Sequence, residues 1–175
     1  MRLFAGIEIP EDARMRLSLL KGGLPGARWV APESFHVTVR FFGDCDGTLA
    51  GDIDDALSTL RVRPFDLRIH GVGIFTEREP RVLWAGLAKS DALAALNQKV
   101  ETAVQRVGLA PERRKFAPHI TLARLKNPPK DRLAEFLSVN GGFSLPAFPV
   151  THFTLFSSFV GHGGSRYCPE RRYVM

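Results

Sequence analysis

The chain has 175 residues, a formal net charge of +6 at pH 7 and a hydrophobic fraction of 45%. This composition is typical of a globular protein that can bury one sizeable core, and no apolar run approaches the length of a membrane span. An acidic residue follows the short first apolar run closely, so we expect no signal peptide. The only cysteines, Cys45 and Cys168, favour a reduced cytoplasmic protein and are too few for a zinc site. The excess of basic residues favours a polyanionic partner.

The first half of the chain is predicted to alternate strands and helices. Pro10 stops the opening apolar run, and Gly22-Gly23 ends the helix that follows it. The periodicity predicts strands at 2–9, 27–30, 35–42, 65–75 and 81–87, with helices at 11–21 and 48–60.

The second half begins with the clearest helical pattern, capped by Ser90 and ended by Gly108. A basic loop, PERRKFAPH, then leads into a strand. The remaining predicted elements are strands at 119–124, 143–148, 150–158 and 166–174, the last interrupted by Pro169, and a helix at 130–138.

Two tetrapeptides share one pattern: HVTV at residues 36–39 and HITL at residues 119–122. Because side chains alternate along a strand, His36 and Thr38 lie on one face with the valines behind them. His119 and Thr121 repeat that arrangement. A third match, HFTL at 152–155, shows that the bare pattern is not sufficient.

The two halves of the chain also resemble each other outside these motifs. LFAGI at 3–7 resembles LWAGL at 83–87, and IF at 74–75 resembles LF at 155–156. Landmarks that recur after about 80 residues indicate an internal duplication. His36 and His119 are equivalent in that alignment, whereas His152 has no counterpart and is interpreted as a structural strand residue.

The duplication predicts an α+β fold, because two copies can bury sheets against each other with helices outside. We expect one domain over residues 1–175, built from two similar intertwined lobes. The fold is bilobal, with two mostly antiparallel sheets and outer helices related by a pseudo-twofold axis. The active-site cleft then lies between the lobes, with His36 and His119 on opposite walls.

Two histidines and two hydroxyls around one cleft suit in-line phosphoryl transfer. A neutral imidazole accepts a proton from the attacking oxygen, an imidazolium protonates the leaving oxygen, and the hydroxyls hydrogen-bond the phosphate. Neither motif supplies a cluster of metal ligands, so we predict no metal and no cofactor. The residues alone leave open which histidine is the acid.

These motifs resemble those of the two-histidine phosphoesterase superfamily, and their flanks resemble its RNA 2′,3′-cyclic phosphodiesterases, also called 2′-5′ RNA ligases. The matching stretches are RLFAGIEIP, ARWVAPESFHVTVRFFGD, RVLWAGL, FAPHITLARLK and FTLFSS. The resemblance implies hydrolysis of a terminal 2′,3′-cyclic phosphate to a 2′-phosphomonoester, with reversible 2′-5′ RNA ligation in vitro. It implies that His36 donates a proton to the leaving oxygen, that His119 accepts one from water, and that Thr38 and Thr121 hold the phosphate.

The resemblance also assigns Arg124 to phosphate binding. Strict alternation puts Arg124 on the side of Ile120 and Leu122, away from His119, unless a bulge turns it into the cleft. A solvated position at the strand end is the alternative.

Further candidates concern the rest of an RNA substrate. Trp84, Phe41 and Phe116 are candidates for stacking a base, with core packing as the alternative. Arg113 and Arg114 are candidates for contacting the RNA backbone, with an exposed loop as the alternative.

The expected partner is RNA that ends in a 2′,3′-cyclic phosphate, with tRNA fragments among the candidates. We expect a cytoplasmic monomer that does not associate with membranes. Two other functions stay open: a cyclic phosphodiesterase for a small nucleotide, and a non-catalytic module that binds RNA ends.

Overall fold

A computed structural model describes all residues, 1–175. The strands are β1 (Arg2–Glu8), β2 (Ala27–Trp29), β3 (His36–Asp44), β4 (Phe65–Leu67), β5 (Ile69–Ile74), β6 (Val82–Leu87), β7 (Ile120–Leu125), β8 (Phe148–Val150), β9 (His152–Gly161) and β10 (Gly164–Val174). The helices are α1 (Glu11–Ser18), α2 (Gly47–Ser58), α3 (Asp91–Arg106) and α4 (Lys130–Asn140), with one 3-10 turn at Pro32–Ser34. No helix is both long and apolar enough to cross a membrane.

Two antiparallel sheets of four strands form the body of the protein. The first-motif sheet has the order β10-β9-β1-β3, and the second-motif sheet has the order β2-β7-β6-β5. The run β9-β1-β3 in one sheet corresponds to β5-β6-β7 in the other, as the duplication predicts. Each half contributes two strands to the other sheet: β2 and β5 of the first half lie in the second-motif sheet, and β9 and β10 of the second half lie in the first-motif sheet. The predicted α+β fold with two antiparallel sheets is confirmed.

Helix α3 packs on the first-motif sheet and on α2, while α4 contacts β5 of the other sheet. Side chains cap the N-termini of α3 and α2. Ser90 Oγ accepts a hydrogen bond from the Leu93 amide at 3.1 Å, and Asp46 Oδ1 accepts one from the Leu49 amide at 2.8 Å. An ion pair between Arg40, which is only 8% exposed, and Glu101 ties β3 to α3.

Two strand predictions were wrong in detail. The strand predicted at 65–75 is divided: β4 pairs with β8 in a small sheet of its own, and β5 pairs with β6. Residues 143–147 form no strand and contribute a single bridge, from Ser144 to His70. Pro146 has no N–H to donate to a strand ladder, so regular pairing begins only at Phe148.

Two glycines at equivalent positions allow neighbouring strands to approach closely. A Cβ on Gly6 would lie 2.9 Å from the Val37 carbonyl oxygen, and a Cβ on Gly86 would lie 2.7 Å from that of His70. Both obstacles are backbone atoms, which cannot rotate away. The Ala-Gly pair common to the two halves therefore has the same packing role in both sheets.

We predict that Gly86→Ala lowers the free energy of unfolding by about 1–3 kcal/mol, because the added methyl forces β5 and β6 apart. Gly51→Ala is the matched control: Gly51 lies inside α2 with open space around it, so the same change should stabilise by about 0.4–1 kcal/mol. Urea unfolding of both variants measures the difference. Equal stability of the two would contradict the close-approach explanation.

Candidate functional site

His36 opens β3, directly after the 3-10 turn. Its Nδ1 lies 2.7 Å from the Ser34 carbonyl oxygen, and its Nε2 lies 3.1 Å from Thr38 Oγ1. A carbonyl oxygen only accepts, so Nδ1 carries the hydrogen in the neutral ring and the Thr38 hydroxyl donates to Nε2. The turn thus fixes both the tautomer and the direction of the imidazole.

His119 immediately precedes β7 and is held in the same way. Its Nδ1 lies 2.8 Å from the Ala117 carbonyl oxygen, again two residues upstream. Nδ1 therefore carries the hydrogen, and Nε2 keeps its lone pair without a partner in the protein. The two motifs present equivalent nitrogen atoms in equivalent tautomers.

Each motif strand contains an extra residue at the same position, and β3 has a second one, Phe42, farther along the strand. In β3, Thr38 lies opposite Gly6 and Arg40 lies opposite Ala5, so Val39 is bulged. A bulge reverses the alternation beyond it. Phe41 consequently lies opposite Phe4, on the cleft face.

The equivalent bulge in β7 decides the orientation of Arg124. Thr121 lies opposite Trp84 and Ala123 lies opposite Leu83, which leaves Leu122 as the extra residue. Arg124 then lies opposite Val82, on the same face as Thr121. The expectation from strict alternation was wrong, and the bulge brings Arg124 to the cleft side.

Aromatic rings surround both histidines. The ring centroids of Phe4 and Tyr167 lie 4.9 and 4.7 Å from that of His36, and Phe156 lies 6.1 Å away. On the other sheet, the Phe75 ring meets His119 edge-on at 4.8 Å.

These four rings had no predicted role. The alignment of the two halves was a usable signal for three of them, because it pairs Phe4 with Trp84 and Phe75 with Phe156. Tyr167 lies on β10, an additional strand without a counterpart in the other sheet, so the repeat carried no signal for it.

Burial keeps both histidines neutral in the free protein. It lowers the pKa of His36 to about 4, against the smaller opposite effect of the Ser34 carbonyl, and the charges of His119 and Arg124 lower it further. Burial also lowers the pKa of His119, again with a contribution from Arg124. The positive charge of Arg124 thus lowers the pKa of both histidines, which indicates that Arg124, His36 and His119 lie around one cleft.

A groove of about 470 Å³ connects the motifs and contains three of the predicted aromatic or basic candidates. Thr38 and His119 line it together with Phe41, Phe116 and Arg114. Phe41 is 48% exposed, as a stacking surface requires, and Phe116 is half-buried.

Two candidates, Trp84 and Arg113, do not line this groove. Trp84 lies on the second-motif sheet with its ring against Gly73, and its indole N–H is buried without a partner. Arg113 is exposed and lies outside the groove, while Arg114 forms an ion pair with Glu112 at 3.4 Å.

The third His-x-Thr match belongs to a separate network. His152 Nε2 lies 3.5 Å from Glu8 Oε1 without a hydrogen bond. Glu8 Oε1 accepts hydrogen bonds from Thr154 Oγ1 at 2.8 Å and from Arg172 Nε at 2.7 Å. The hydrogen bond from Arg172 is the main reason why the pKa of Glu8 falls to about 2. These contacts join β1, β9 and β10.

No group of three His, Cys, Asp or Glu side chains lies close enough together to hold a metal ion. The chemistry available in the cleft is that of two imidazoles, two hydroxyls and one guanidinium. A duplicated fold that presents this set defines a two-histidine phosphoesterase.

Comparisons with known proteins agree with this class. The model of the 2′-5′ RNA ligase superfamily matches residues 13–160. An Aeropyrum pernix protein named RNA 2′,3′-cyclic phosphodiesterase is 31% identical over 158 residues, which cover 89% of each chain. The chain belongs to the 2′-5′ RNA ligase superfamily.

Two solved structures have the same fold over nearly the whole chain. TT0787 of Thermus thermophilus matches with a TM-score of 0.82 and 25% identity, covering 99% of this chain and 97% of its own. E. coli LigT complexed with 3′-AMP matches with a TM-score of 0.80 and 26% identity at the same coverage.

We predict that Arg124→Gln raises the pKa of both His36 and His119, because it removes a nearby positive charge from two buried imidazoles. Arg124→Lys keeps the charge and should leave both values nearer to those of the unaltered protein. NMR titration of the imidazole Cε1–H signals measures the shifts. An unchanged pKa at both histidines in Arg124→Gln would show that Arg124 points away from the cleft.

Proposed function

We propose that this protein hydrolyses the terminal 2′,3′-cyclic phosphate of RNA to a 2′-phosphomonoester. The observation that carries the proposal is the pair of equivalent histidines, in which a backbone carbonyl holds each Nδ1. Nε2 of His119 has no partner in the protein, and Nε2 of His36 contacts the Thr38 hydroxyl at 3.1 Å. The names of the relatives point to the same substrate. A cyclic phosphodiester is a compact anion, which suits a cleft that carries the charge of Arg124.

In the proposed reaction, water attacks phosphorus and the bond from phosphorus to the 3′ oxygen breaks. His119 Nε2 accepts the proton of the attacking water, and protonated His36 donates from Nε2 to the departing 3′ oxygen. Thr38, Thr121 and Arg124 hold the non-bridging oxygens. No metal takes part in this scheme.

The protonated acid arises when the substrate binds. Both histidines have a lowered pKa in the free protein, and a bound phosphate brings a negative charge between them. That charge favours the imidazolium form and raises the pKa of the pair, so one histidine takes up a proton. The family resemblance supplies the assignment of His36 as the donor.

A 5′-hydroxyl that attacks in place of water would join to the cyclic phosphate as a 2′-5′ linkage, and the bond from phosphorus to the 3′ oxygen would break as before. His119 would then deprotonate the attacking 5′-hydroxyl, and His36 would protonate the departing 3′ oxygen. We include this ligation in vitro in the proposal, because the same acid–base pair serves either nucleophile.

RNA, rather than a small nucleotide, is the substrate we favour. Phe41 and Phe116 line the groove beside His119 and offer rings on which bases can stack. The alternative is a small nucleotide, since the related E. coli LigT has been crystallised with 3′-AMP, ATP and NADP⁺. Turnover of a short oligonucleotide and of a mononucleotide with the same cyclic end separates the two.

The proposal covers the organisation of the protein as well. We propose one domain over residues 1–175, acting as a cytoplasmic monomer on RNA ends such as those of tRNA fragments. The exchanged strands support a single folding unit, and the two unpaired cysteines suit a reducing compartment.

We predict that His36→Ala and His119→Ala each lower the rate on the cyclic phosphate by roughly 10²–10⁴, the usual contribution of a general acid or base. The double variant should be little slower than either single variant, because both act in one step. Steady-state rates on an RNA with a cyclic end measure this.

His152→Ala is the matched control, since it removes a strand histidine outside the paired motifs. Its rate should stay within a few-fold of the unaltered protein. A loss at His152 as large as that at His36, or unchanged rates in all three variants, would contradict the assignment. No turnover by the unaltered protein would favour the non-catalytic module.

We predict bell-shaped pH profiles whose position depends on the parameter measured. The profile of kcat/KM reports the free protein, so its maximum should lie on the acidic side of the ordinary histidine pKa, 6.5. The profile of kcat reports the complex, where the substrate anion raises the pKa values, and should lie at higher pH. Coincident maxima would contradict the proposed effect of the anion.

A further inference from the structure

A second, larger groove lies at the far end of β7. It has a volume of about 1430 Å³ and runs between the β5–β6 loop and the start of α4. Six cationic side chains line it, against two carboxylates: Arg28, Arg78, Arg81, Arg124, Lys126 and Lys130, with Glu77 and Glu79. Arg124 belongs to this groove and also acts on both histidines, so the groove begins at the cleft.

Arg28 is the residue that extends the positive charge from the cleft. It lies on β2 directly opposite Arg124, so the two guanidinium side chains leave neighbouring strands on the same face. Like charges at such a pair destabilise a sheet. Neither arginine forms an ion pair with a carboxylate, so an anion from outside the chain would relieve the repulsion.

The charge in the other groove is largely neutralised. There, Arg40 pairs with Glu101 and Arg114 pairs with Glu112, which leaves Lys115 as the unpaired cation among the lining residues. In the larger groove only Arg81 is paired, with Glu79 at 2.9 Å. A polyanion therefore gains more from the larger groove.

We propose that the larger groove binds the phosphates of the RNA strand on the 5′ side of the cyclic terminus, with Arg28, beside Arg124, holding the phosphate nearest the cleft. The inference rests on the proposed function, which places the cyclic end between the histidines. The lining contains no aromatic or histidine side chain, so bases do not stack there. Binding along the groove is consequently independent of sequence and sensitive to salt.

The test compares a short oligoribonucleotide that ends in a 2′,3′-cyclic phosphate with the mononucleotide that has the same end. The measured quantity is the ratio of their kcat/KM values between about 50 and about 200 mM salt. The test variant is Arg28→Gln with Lys130→Gln, one change on β2 and one at the start of α4. Arg78→Gln with Lys126→Gln repeats the measurement with two other exposed groove residues.

The matched control is Arg16→Gln with Arg106→Gln. Both residues are exposed, lie in the last turn of a helix and line neither groove. The control removes the same amount of charge from the chain, so it separates an effect of the groove from an effect of net charge.

The groove variants should lower the ratio on the order of tenfold at low salt. They should also reduce the slope of log kcat/KM against log salt for the oligonucleotide by about 1.4, which is about 0.7 for each lost phosphate contact with a single strand. The control should keep the ratio and the slope of the unaltered protein.

Three results would overturn the inference. In the first, the groove variants keep the ratio and the slope of the unaltered protein. In the second, the control variant changes the ratio and the slope as much as the groove variants do. In the third, only Arg113→Gln with Arg114→Gln changes the ratio and the slope, which assigns the RNA strand to the smaller groove. Fluorescence anisotropy with the same oligonucleotide separates this inference from the proposed function. If the unaltered protein turns over neither substrate, the proposed function fails. The inference about the groove is then still supported if the groove variants bind the oligonucleotide more weakly and the control variant does not.

Discussion

The equivalent bulge in each motif strand is the constraint on which the site depends. A regular strand shows every second side chain to a face, so the residues next to the His and Thr on the cleft face would be Arg40 in β3 and Ala123 in β7. The bulges at Val39 and Leu122 shift this alternation while both bulged side chains stay buried. The next position on the cleft face is then Phe41 in one strand and Arg124 in the other.

The duplicated scaffold produces a site with unequal halves. The equivalent positions 41 and 124 carry a ring and a guanidinium, and positions 4 and 84 carry Phe and Trp. Glu8 supports the network with Thr154 and Arg172 on one sheet only. Symmetry thus places two similar imidazoles around one cleft, and these differences give each imidazole its own surroundings.

Burial and charge work together on those imidazoles. Packing against rings removes water from His36 and His119, and Arg124 adds repulsion, so the free cleft holds neutral histidines and an unbalanced positive charge. Such a cleft favours an anionic ligand, because the ligand both neutralises Arg124 and stabilises an imidazolium. The same argument applies to the larger groove, because Arg28 extends the uncompensated positive charge away from the histidines.

Much of the site could be read from local patterns. The repeat identified His36 and His119 as equivalent and separated them from His152, and periodicity located all four helices, because these features depend on residues close in sequence. The division of the predicted strands was harder to predict. Around Arg68 and Pro146 the apolar pattern of the sequence continues, although the strand pairing is interrupted there.

The sequence by itself therefore determined the duplicated α+β fold, the paired motifs and the class of chemistry. Only the tertiary structure decided that Arg124 faces the cleft, that Phe4, Phe156 and Tyr167 surround His36, and that Arg28 stands beside Arg124. The physical reason is that alternation is a local property, whereas a bulge and a cross-strand neighbour are set by the register between strands distant in sequence.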